Sequence, residues 1–278
     1  MKKWTLFFTL ALSAMGATAA QTAPAPPRQA WSFSGINGKY DKEQLRRGLQ
    51  IFEEKCHACH GMKYLDFRSL TKPGGPELAL EAAQEIAAGN VFPTIRDDGE
   101  TAKRRGRLSD HFMSPYANPE QVKDLNHGVV PPDLTYITLA RTYDRSFAQF
   151  VGDLFIPYAE QGSDVVYAIL TGYDGQDPLL KANRYAPGGK LGMAKPLFAG
   201  EFDYPKTAEG HPVVPQTEEQ YAKDVKAFLT WVADPDRESR QRTGGYVMGY
   251  LAVFLGLLLL TIRYLKKTGS SRNTGDEG

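Results

Sequence analysis

The side chains with the clearest capacity for chemistry lie together in the segment Cys56-His57-Ala58-Cys59-His60. The sequence contains two cysteines, and their spacing is typical of metal, redox or haem-attachment motifs rather than of structural disulfides. In a Cys-x-x-Cys-His motif, the two thiols bond to the two vinyl groups of a porphyrin, and the histidine is placed beneath the iron. The segment therefore predicts one covalently attached haem c, held by Cys56 and Cys59 and ligated by His60.

Two other kinds of site use the same cysteine spacing. A thioredoxin-like redox pair follows a strand in a βαβ unit, and no such pattern precedes Cys56. A structural zinc site could use both cysteines, His60 and one remote histidine, but the sequence has no second paired ligand motif. The motif therefore favours haem attachment over a redox pair or a zinc site.

Two amphipathic helices are predicted to support the motif. The segment from Asp41 to Lys55 leads into it and places three apolar side chains on one face: Leu45, Leu49 and Phe52. Gly48 lies beside this stripe, where a second helix can approach closely. Near the end of the domain, Thr217-x-x-Gln220 forms a capping box that begins a helix extending to about Asp234. A helix leading into the haem motif and a late crossing helix are the frame of class I cytochromes c.

An electron-carrying haem usually has a second axial ligand, methionine or histidine, on the face opposite the first. Met193 is the favoured candidate, because it lies in a Gly- and Pro-containing loop between two predicted helices. Met62 is too close to His60 in the chain to reach the opposite face, and Met248 lies in an apolar C-terminal segment. The residues alone leave these other candidates open: Met113, His57, His111, His127 and His211.

The N-terminus has the features of an export signal. Lys2 and Lys3 provide a positive start, an uncharged apolar run follows from Trp4 to Met15, and small residues occupy positions 17–20. An uncleaved anchor helix is the alternative, but the apolar run is short for a membrane span. Residues 1–20 are therefore predicted to be a cleaved signal peptide, and the remainder is predicted to be exported.

The C-terminal region is predicted to anchor the chain in a membrane. No charged residue occurs from Thr243 to Ile262, and a helix of about 20 residues rises about 30 Å, the thickness of a bilayer's hydrocarbon core. Tyr246 and Tyr264 lie where interfacial aromatic side chains are expected. We therefore expect a haem domain over residues 21–242, a transmembrane helix over 243–265 and a cytoplasmic tail over 266–278.

The charge of the chain is nearly balanced, with 33 lysines and arginines against 32 aspartates and glutamates. A nucleic-acid-binding protein would show a basic excess, and this sequence has none. The length of 278 residues, with 42% hydrophobic residues, is ample for a domain with a substantial core. Composition thus argues against a nucleic-acid partner and is consistent with a folded domain on a membrane anchor.

Several segments together resemble the cytochrome c1 family, the haem subunits of quinol–cytochrome c oxidoreductase (bc1) complexes, in its bacterial type. They include the haem motif, Gly106–Asp110, Pro131–Leu134, Leu170–Tyr173 and the C-terminal anchor. The haem motif alone would indicate only a c-type cytochrome. The Pro-Pro-Asp-Leu segment and the anchor make the resemblance specific.

This resemblance implies a role for each position of the site. Cys56 and Cys59 correspond to the thioether attachments, His60 to the proximal iron ligand and Met193 to the distal ligand. Some bacterial relatives have an additional cysteine pair, which this chain lacks. The loop that contains Met193 is therefore expected to have no covalent brace.

Two further positions gain implied roles from the resemblance. Arg141 corresponds to the residue that pairs with a haem propionate, and a guanidinium group suits that bidentate task. Pro132, together with Pro131, resembles a rigid wall beside the haem.

The fold implied by the resemblance is all-α: a class I cytochrome c-like haem domain with long irregular insertions, followed by one C-terminal transmembrane helix. The implied function is electron transfer from the Rieske iron–sulfur protein to a soluble or membrane-bound cytochrome c, so the chain would not be an enzyme by itself. Cytochrome b, the Rieske subunit and membrane lipid are the other implied partners. The haem domain would lie in the periplasm, on a bacterial inner membrane.

Two other functions are compatible with the residues. A membrane-anchored monohaem cytochrome that donates electrons directly to a terminal oxidase or reductase would be isolated without cytochrome b or a Rieske protein. A haem peroxidase would need an open distal position at the iron, and ligation by methionine argues against it.

Overall fold

The computed structural model describes residues 23–35, 37–144, 146–155, 161–175, 179 and 181–273. The predicted signal peptide, residues 1–20, lies outside these described residues. Most of the regular structure is helical. The α-helices are α1 (Lys42–Ile51), α2 (Leu80–Gly89), α3 (Pro119–Leu125), α4 (Ile137–Ala140), α5 (Phe147–Phe155), α6 (Gln161–Thr171), α7 (Glu218–Ala233) and α8 (Arg237–Asn273).

Two small antiparallel sheets accompany the helices, so the expectation of an all-α fold is wrong in this respect. The strands are β1 (Met62–Asp66), β2 (Val91–Ile95), β3 (Thr101–Arg105) and β4 (His111–Phe112), and β1 pairs with β4 while β2 pairs with β3. The hairpin of β2 and β3 turns at Asp98-Gly99, where Gly99 has a φ of +84°. An Asp-Gly pair is a strong hairpin signal, so local turn chemistry explains the β2–β3 hairpin.

Helices α1 and α7 cross at close range in the core. Asp41 begins α1 and Thr217 begins α7, each by accepting the backbone N–H three residues later, at 2.9 and 3.3 Å. At the crossing, a Cβ on Gly48 would lie 2.2 Å from the backbone oxygen of Asp224. Glycine is therefore required for this approach, and the predicted close contact at Gly48 is confirmed.

Replacing Gly48 with alanine is expected to destabilise the domain, because the added methyl group cannot fit between α1 and α7. Overpacking of this kind typically costs about 1–3 kcal/mol of the free energy of unfolding. Gly152→Ala in α5 is the matched control, since a Cβ there meets no atom within 4 Å. Thermal unfolding followed by circular dichroism should show a lower Tm for G48A but not for G152A. Equal Tm values in the two variants would contradict the close crossing.

The C-terminal helix α8 is long and apolar enough over Arg237–Lys267 to cross a membrane, and its most apolar stretch is not buried in the described structure. An exposed apolar surface of this length suits lipid rather than water. The helix begins ahead of the span predicted at residue 243, so one unbroken helix joins the folded domain to the anchor. An ion pair between Asp234 and Arg240 and a 2.9 Å hydrogen bond from the Tyr40 N–H to Glu238 fix the junction.

Candidate functional site

The cysteine motif lies on a tight turn at the end of α1. Helix α1 ends at Ile51, earlier than predicted, and a π-helical turn continues from Phe52 to Cys56. A π turn accommodates one extra residue and thereby rotates the residues that follow it. Beyond this turn, the N–H groups of Cys59 and His60 both donate to the Cys56 carbonyl, at 3.1 and 2.9 Å. The backbone thus holds the two thiols and the His60 imidazole on one short turn.

The imidazole of His57 packs against the core behind this turn. Its ring stacks on Phe52 at a centroid distance of 5.4 Å and meets the edge of Phe112 at 5.7 Å. Its Nε2 lies 3.2 Å from the carbonyl oxygen of Met113. These contacts attach the turn to β4 and to the loop after it.

The other histidine of the motif, His60, is oriented by a backbone carbonyl. Its Nδ1 lies 2.7 Å from the carbonyl oxygen of Pro132, so Nδ1 carries the proton and donates to that oxygen. Nε2 then keeps a free lone pair, which is the usual arrangement of a metal-binding imidazole. Burial lowers the pKa of His60, which keeps its ring neutral and able to bind a metal.

The predicted site residue Pro132 contacts His60 through its backbone. Its segment is also tied to the motif by a 2.9 Å hydrogen bond from the Leu134 N–H to the Gly61 carbonyl. A Cβ on Gly61 would lie 2.7 Å from the backbone nitrogen of Ser114. Glycine at position 61 therefore lets the end of the motif approach the loop after β4 closely. Any residue can accept a hydrogen bond through its backbone carbonyl. The sequence therefore indicated Pro132 but not its hydrogen bond with His60.

Met193 lies in the loop between α6 and α7 and is partly buried. Its carbonyl oxygen accepts a hydrogen bond from the Tyr173 hydroxyl at 2.8 Å. Two residues further on, the buried Lys195 ammonium donates to the Gly175 carbonyl and to the Glu218 carboxylate, at 2.8 and 2.9 Å. The loop therefore has non-covalent braces where a cysteine pair is absent from the sequence.

The segment that orients His60 also touches the Met193 loop. A Cβ on Gly192 would lie 2.5 Å from a side-chain carbon of Val129, so Gly192 permits a close approach. Val129 precedes Pro132 by three residues in the same segment. The structure thus brings the segment that contains Pro132 against the loop that contains Met193.

The other methionine and histidine candidates occupy different surroundings. Among these described candidates, Met193 is the one that combines partial burial with a braced loop against the Val129 segment. The others are Met62 buried in β1, His111 in β4, the exposed Met113, His127 and His211, and Met248 exposed on α8.

Arg141 is not brought into contact with the other predicted site residues. It follows α4 directly and is exposed, and its guanidinium group makes no hydrogen bond or ion pair with the described residues. Its backbone oxygen lies against the start of α6, since a Cβ on Gly162 would be 2.7 Å from it. The role of Arg141 at a haem propionate therefore stays a prediction.

The chemistry of the cysteines argues against a redox pair or a zinc site. Burial raises the pKa of the Cys56 thiol to about 12, whereas reactive and zinc-binding cysteines need an accessible thiolate. In the part of the chain that the structure describes, no group of three or more Cys, His, Asp or Glu side chains could hold a metal ion. Two thiols on one turn, a neutral imidazole with a free Nε2 and a methionine on an adjoining loop instead fit one haem c.

A comparison with protein families decides which family shares this arrangement. The model of the cytochrome c1 family matches residues 31–268, which include the haem motif, Pro132, Met193 and most of α8. The chain belongs to the cytochrome c1 family. The family resemblance of the sequence is thereby confirmed, and membership implies haem-based electron transfer in a membrane-anchored subunit of a bc1 complex.

Individual relatives agree with this family assignment. The chain is 38% identical to cytochrome c1 of Blastochloris viridis, over 92% of this chain and 94% of that protein. It is 32% identical to cytochrome c1 of Rhodospirillum rubrum, over 84% of each. It is also 38% identical to cytochrome b/c1 of Bradyrhizobium diazoefficiens over 90% of this chain, but it spans only 36% of the length of that relative.

Proposed function

We propose that this chain carries one covalently bound haem c, accepts an electron from the Rieske iron–sulfur protein and passes it to a soluble or membrane-bound cytochrome c. The chain would act as the electron-carrying subunit of a quinol–cytochrome c reductase and not as an enzyme by itself. The observation that carries this proposal is the 2.7 Å contact between His60 Nδ1 and the Pro132 carbonyl, directly beside the two-cysteine turn. This contact leaves Nε2 of His60 free to bind an iron, next to two thiols that can attach a porphyrin.

The proposed attachment uses both cysteines of the turn. Cys56 and Cys59 would form the thioether bonds, and a haem held there supplies reversible one-electron chemistry at its iron. His60 would bind the iron through Nε2, while the Pro132 carbonyl keeps the proton on Nδ1 and fixes the orientation of the ring. Met193 would supply its thioether sulfur as the second axial ligand, which favours the ferrous state.

Arg141 and Pro132 are proposed to contact the periphery of the cofactor. The exposed guanidinium group of Arg141 is available for a bidentate pair with a propionate. Pro132 would also contribute its ring as a wall beside the haem, because the fixed φ of proline keeps its segment rigid.

The proposed architecture is a class I cytochrome c-like domain on one membrane anchor. Helix α1 leads into the haem motif and crosses α7 at Gly48, which supports the class I interpretation. Residues 1–20 would be a cleaved signal, 21–242 the periplasmic haem domain, 243–265 the span of the inner membrane and 266–278 the cytoplasmic tail. Cytochrome b, the Rieske subunit and membrane lipid would be the partners at the membrane.

Gentle solubilisation of the membranes tests this function. We expect a cytochrome b and a Rieske protein to co-purify with the chain. Adding a quinol should reduce its c-type haem, and adding an oxidised soluble cytochrome c should then reoxidise it. In a preparation depleted of the Rieske subunit, the same haem should stay oxidised after quinol is added.

A different set of results would support a direct donor to a terminal oxidase. In that case the chain would purify without cytochrome b, and its haem would be reduced by quinol at the same rate whether or not a Rieske protein is present. Either result would contradict the proposed place of this chain in a bc1 complex.

A further inference from the structure

A cleft of about 450 Å³ opens beside the haem motif, on the side where His57 packs. Three parts of the chain form it: the π turn and the residues after it, the start of β2, and the loop after β4. The lining residues that matter here are Glu53, His57, Ala58, Val91, Phe92 and Met113. We refer to this space as the Glu53 cleft.

The carboxyl group of Glu53 has no cation to pair with in this cleft. It makes no hydrogen bond or ion pair with the described residues, and no lysine or arginine is among the residues that line the cleft. Burial, together with the neighbouring Glu54, raises the pKa of Glu53 to about 7. A partly desolvated carboxylate of this kind can form a charge-assisted hydrogen bond with a cation that reaches it.

The walls of the cleft suit the stem of a long basic side chain. Val91 and Met113 are 64% and 53% exposed, and the Phe92 ring lies between the hairpin and the core. Lysine and arginine bury their methylene groups along apolar surfaces while the charged end seeks a polar partner. A basic side chain entering between these walls would therefore bring its charge to Glu53.

The cleft is also next to the place where an electron would leave. Ala58 lines it and lies between the two cysteines of the haem motif. A protein whose side chain enters the cleft would therefore have its surface against the attachment turn.

We propose that the Glu53 cleft receives one lysine or arginine side chain of the cytochrome that exchanges electrons with this chain. This inference rests on the proposed function and assigns a specific contact to it. The paired Glu53 would be in its ionised form, so docking near neutral pH releases a proton from Glu53. Exposed acidic residues elsewhere would affect mainly the rate of encounter, since salt screens them.

The charged groups around Glu53 determine how docking responds to pH. Glu54 is on the same turn, and His57 is the other titratable residue that lines the cleft, with its Nε2 at the Met113 carbonyl. From the hairpin, Arg104 lies over the Phe92 ring and pairs with Asp110, while Arg105 lies opposite Val91 and lines a neighbouring cleft with Glu85. Because the basic partner needs the ionised carboxylate, affinity should rise as the pH passes upward through about 7, the pKa of Glu53.

The test measures binding of a basic soluble cytochrome c to the detergent-solubilised holo-complex at low ionic strength. Glu53→Gln should weaken binding about tenfold, the loss expected for one charge-assisted hydrogen bond. Glu54→Gln is the matched control, because it removes the same charge from an adjacent residue that does not line the cleft, and it should change affinity less than about twofold. Met113→Lys, at an exposed position, should also weaken binding by placing a competing cation beside Glu53.

Affinity measured between about pH 6 and 8 separates a docking role from a structural one. The parent should bind more tightly as the pH rises, and this part of the pH dependence should be lost in E53Q, while haem content and midpoint potential stay unchanged in E53Q and E54Q. An E53Q protein that binds like E54Q at each pH would overturn the inference. That result would leave the proposed function intact if the holoprotein still exchanged electrons, whereas absence of attached haem would refute the proposed function itself.

Discussion

Alanine at both Cys56 and Cys59 is expected to abolish covalent haem, because each thiol supplies one of the two bonds to the porphyrin. The two residues are free cysteines on one turn, with Cys56 partly buried and Cys59 exposed. Haem staining on a denaturing gel measures the result directly, since only covalently bound haem stays with the polypeptide. We expect no stain at the mass of this chain in the double variant, and less stain than in the parent for each single variant.

Ala58→Ser is the control for this experiment, because residue 58 lies between the cysteines and is exposed. The hydroxyl group can be accommodated in solvent, so this variant should stain like the parent. Undiminished stain in the double cysteine variant would contradict covalent attachment at this motif. Stain lost equally in A58S would show that the turn tolerates no change, and the single cysteine variants would then carry no information about attachment.

The parts of the site with local sequence signals could be predicted. The Cys-x-x-Cys-His motif is contiguous, Thr217 is followed three residues later by its glutamine partner, and Gly48 marks the helix crossing by having no side chain. In each case a few neighbouring residues contain the physical information. The family assignment followed from the same kind of short segments.

The parts that depend on distant contacts could not be predicted in the same way. The proton on His60 Nδ1 is placed by a carbonyl that is 72 positions away in the chain, and carbonyl groups are present at every residue. The π turn from Phe52 to Cys56 interrupts a segment whose apolar spacing indicates an ordinary α-helix. The extra residue in this turn places the side chains of Phe52 and His57 where they pack against β4.

Lys226 shows how tertiary packing can override a helical pattern. The apolar face predicted for α7 is buried as expected, but Lys226 is fully buried as well. Its ammonium nitrogen lies 3.1 Å from the ring centroid of Trp31 and 4.1 Å from that of Phe33. A cation over aromatic faces is stabilised by the ring electrons. Trp31 and Phe33 belong to the N-terminal segment, so the spacing of residues within α7 cannot indicate them. That spacing alone predicts that Lys226 is exposed to solvent.

Leucine at Met193 is expected to preserve covalent haem while lowering the reduction potential and opening the second axial position. The loss of a thioether ligand removes a group that favours ferrous iron. A shift of more than about 100 mV is reasonable, because axial ligands change haem potentials over about 0.8 V. A redox titration measures the midpoint, and carbon monoxide added to the reduced protein reports an open position by its change in the visible spectrum.

Met113→Leu is the matched control for this substitution. Met113 is another methionine near the motif, but it is exposed, and its carbonyl accepts the contact from His57. Leucine there keeps that carbonyl, so the midpoint should stay within a few tens of mV of the parent value, on a scale where about 59 mV is a tenfold change for one electron. A normal midpoint in M193L together with a lowered one in M113L would assign the ligand to Met113.

The braces of the Met193 loop make the result of M193L interpretable. The Tyr173 hydroxyl bonds to the carbonyl of residue 193, and Lys195 is held by Gly175 and Glu218, so neither brace uses the methionine side chain. The loop should therefore keep its position when the thioether side chain is replaced by the branched hydrocarbon side chain of leucine. A changed midpoint would then report the lost ligand rather than a displaced loop. An unchanged midpoint with no binding of carbon monoxide would show that a group other than Met193, such as His127 in the adjoining segment, completes the coordination of the iron.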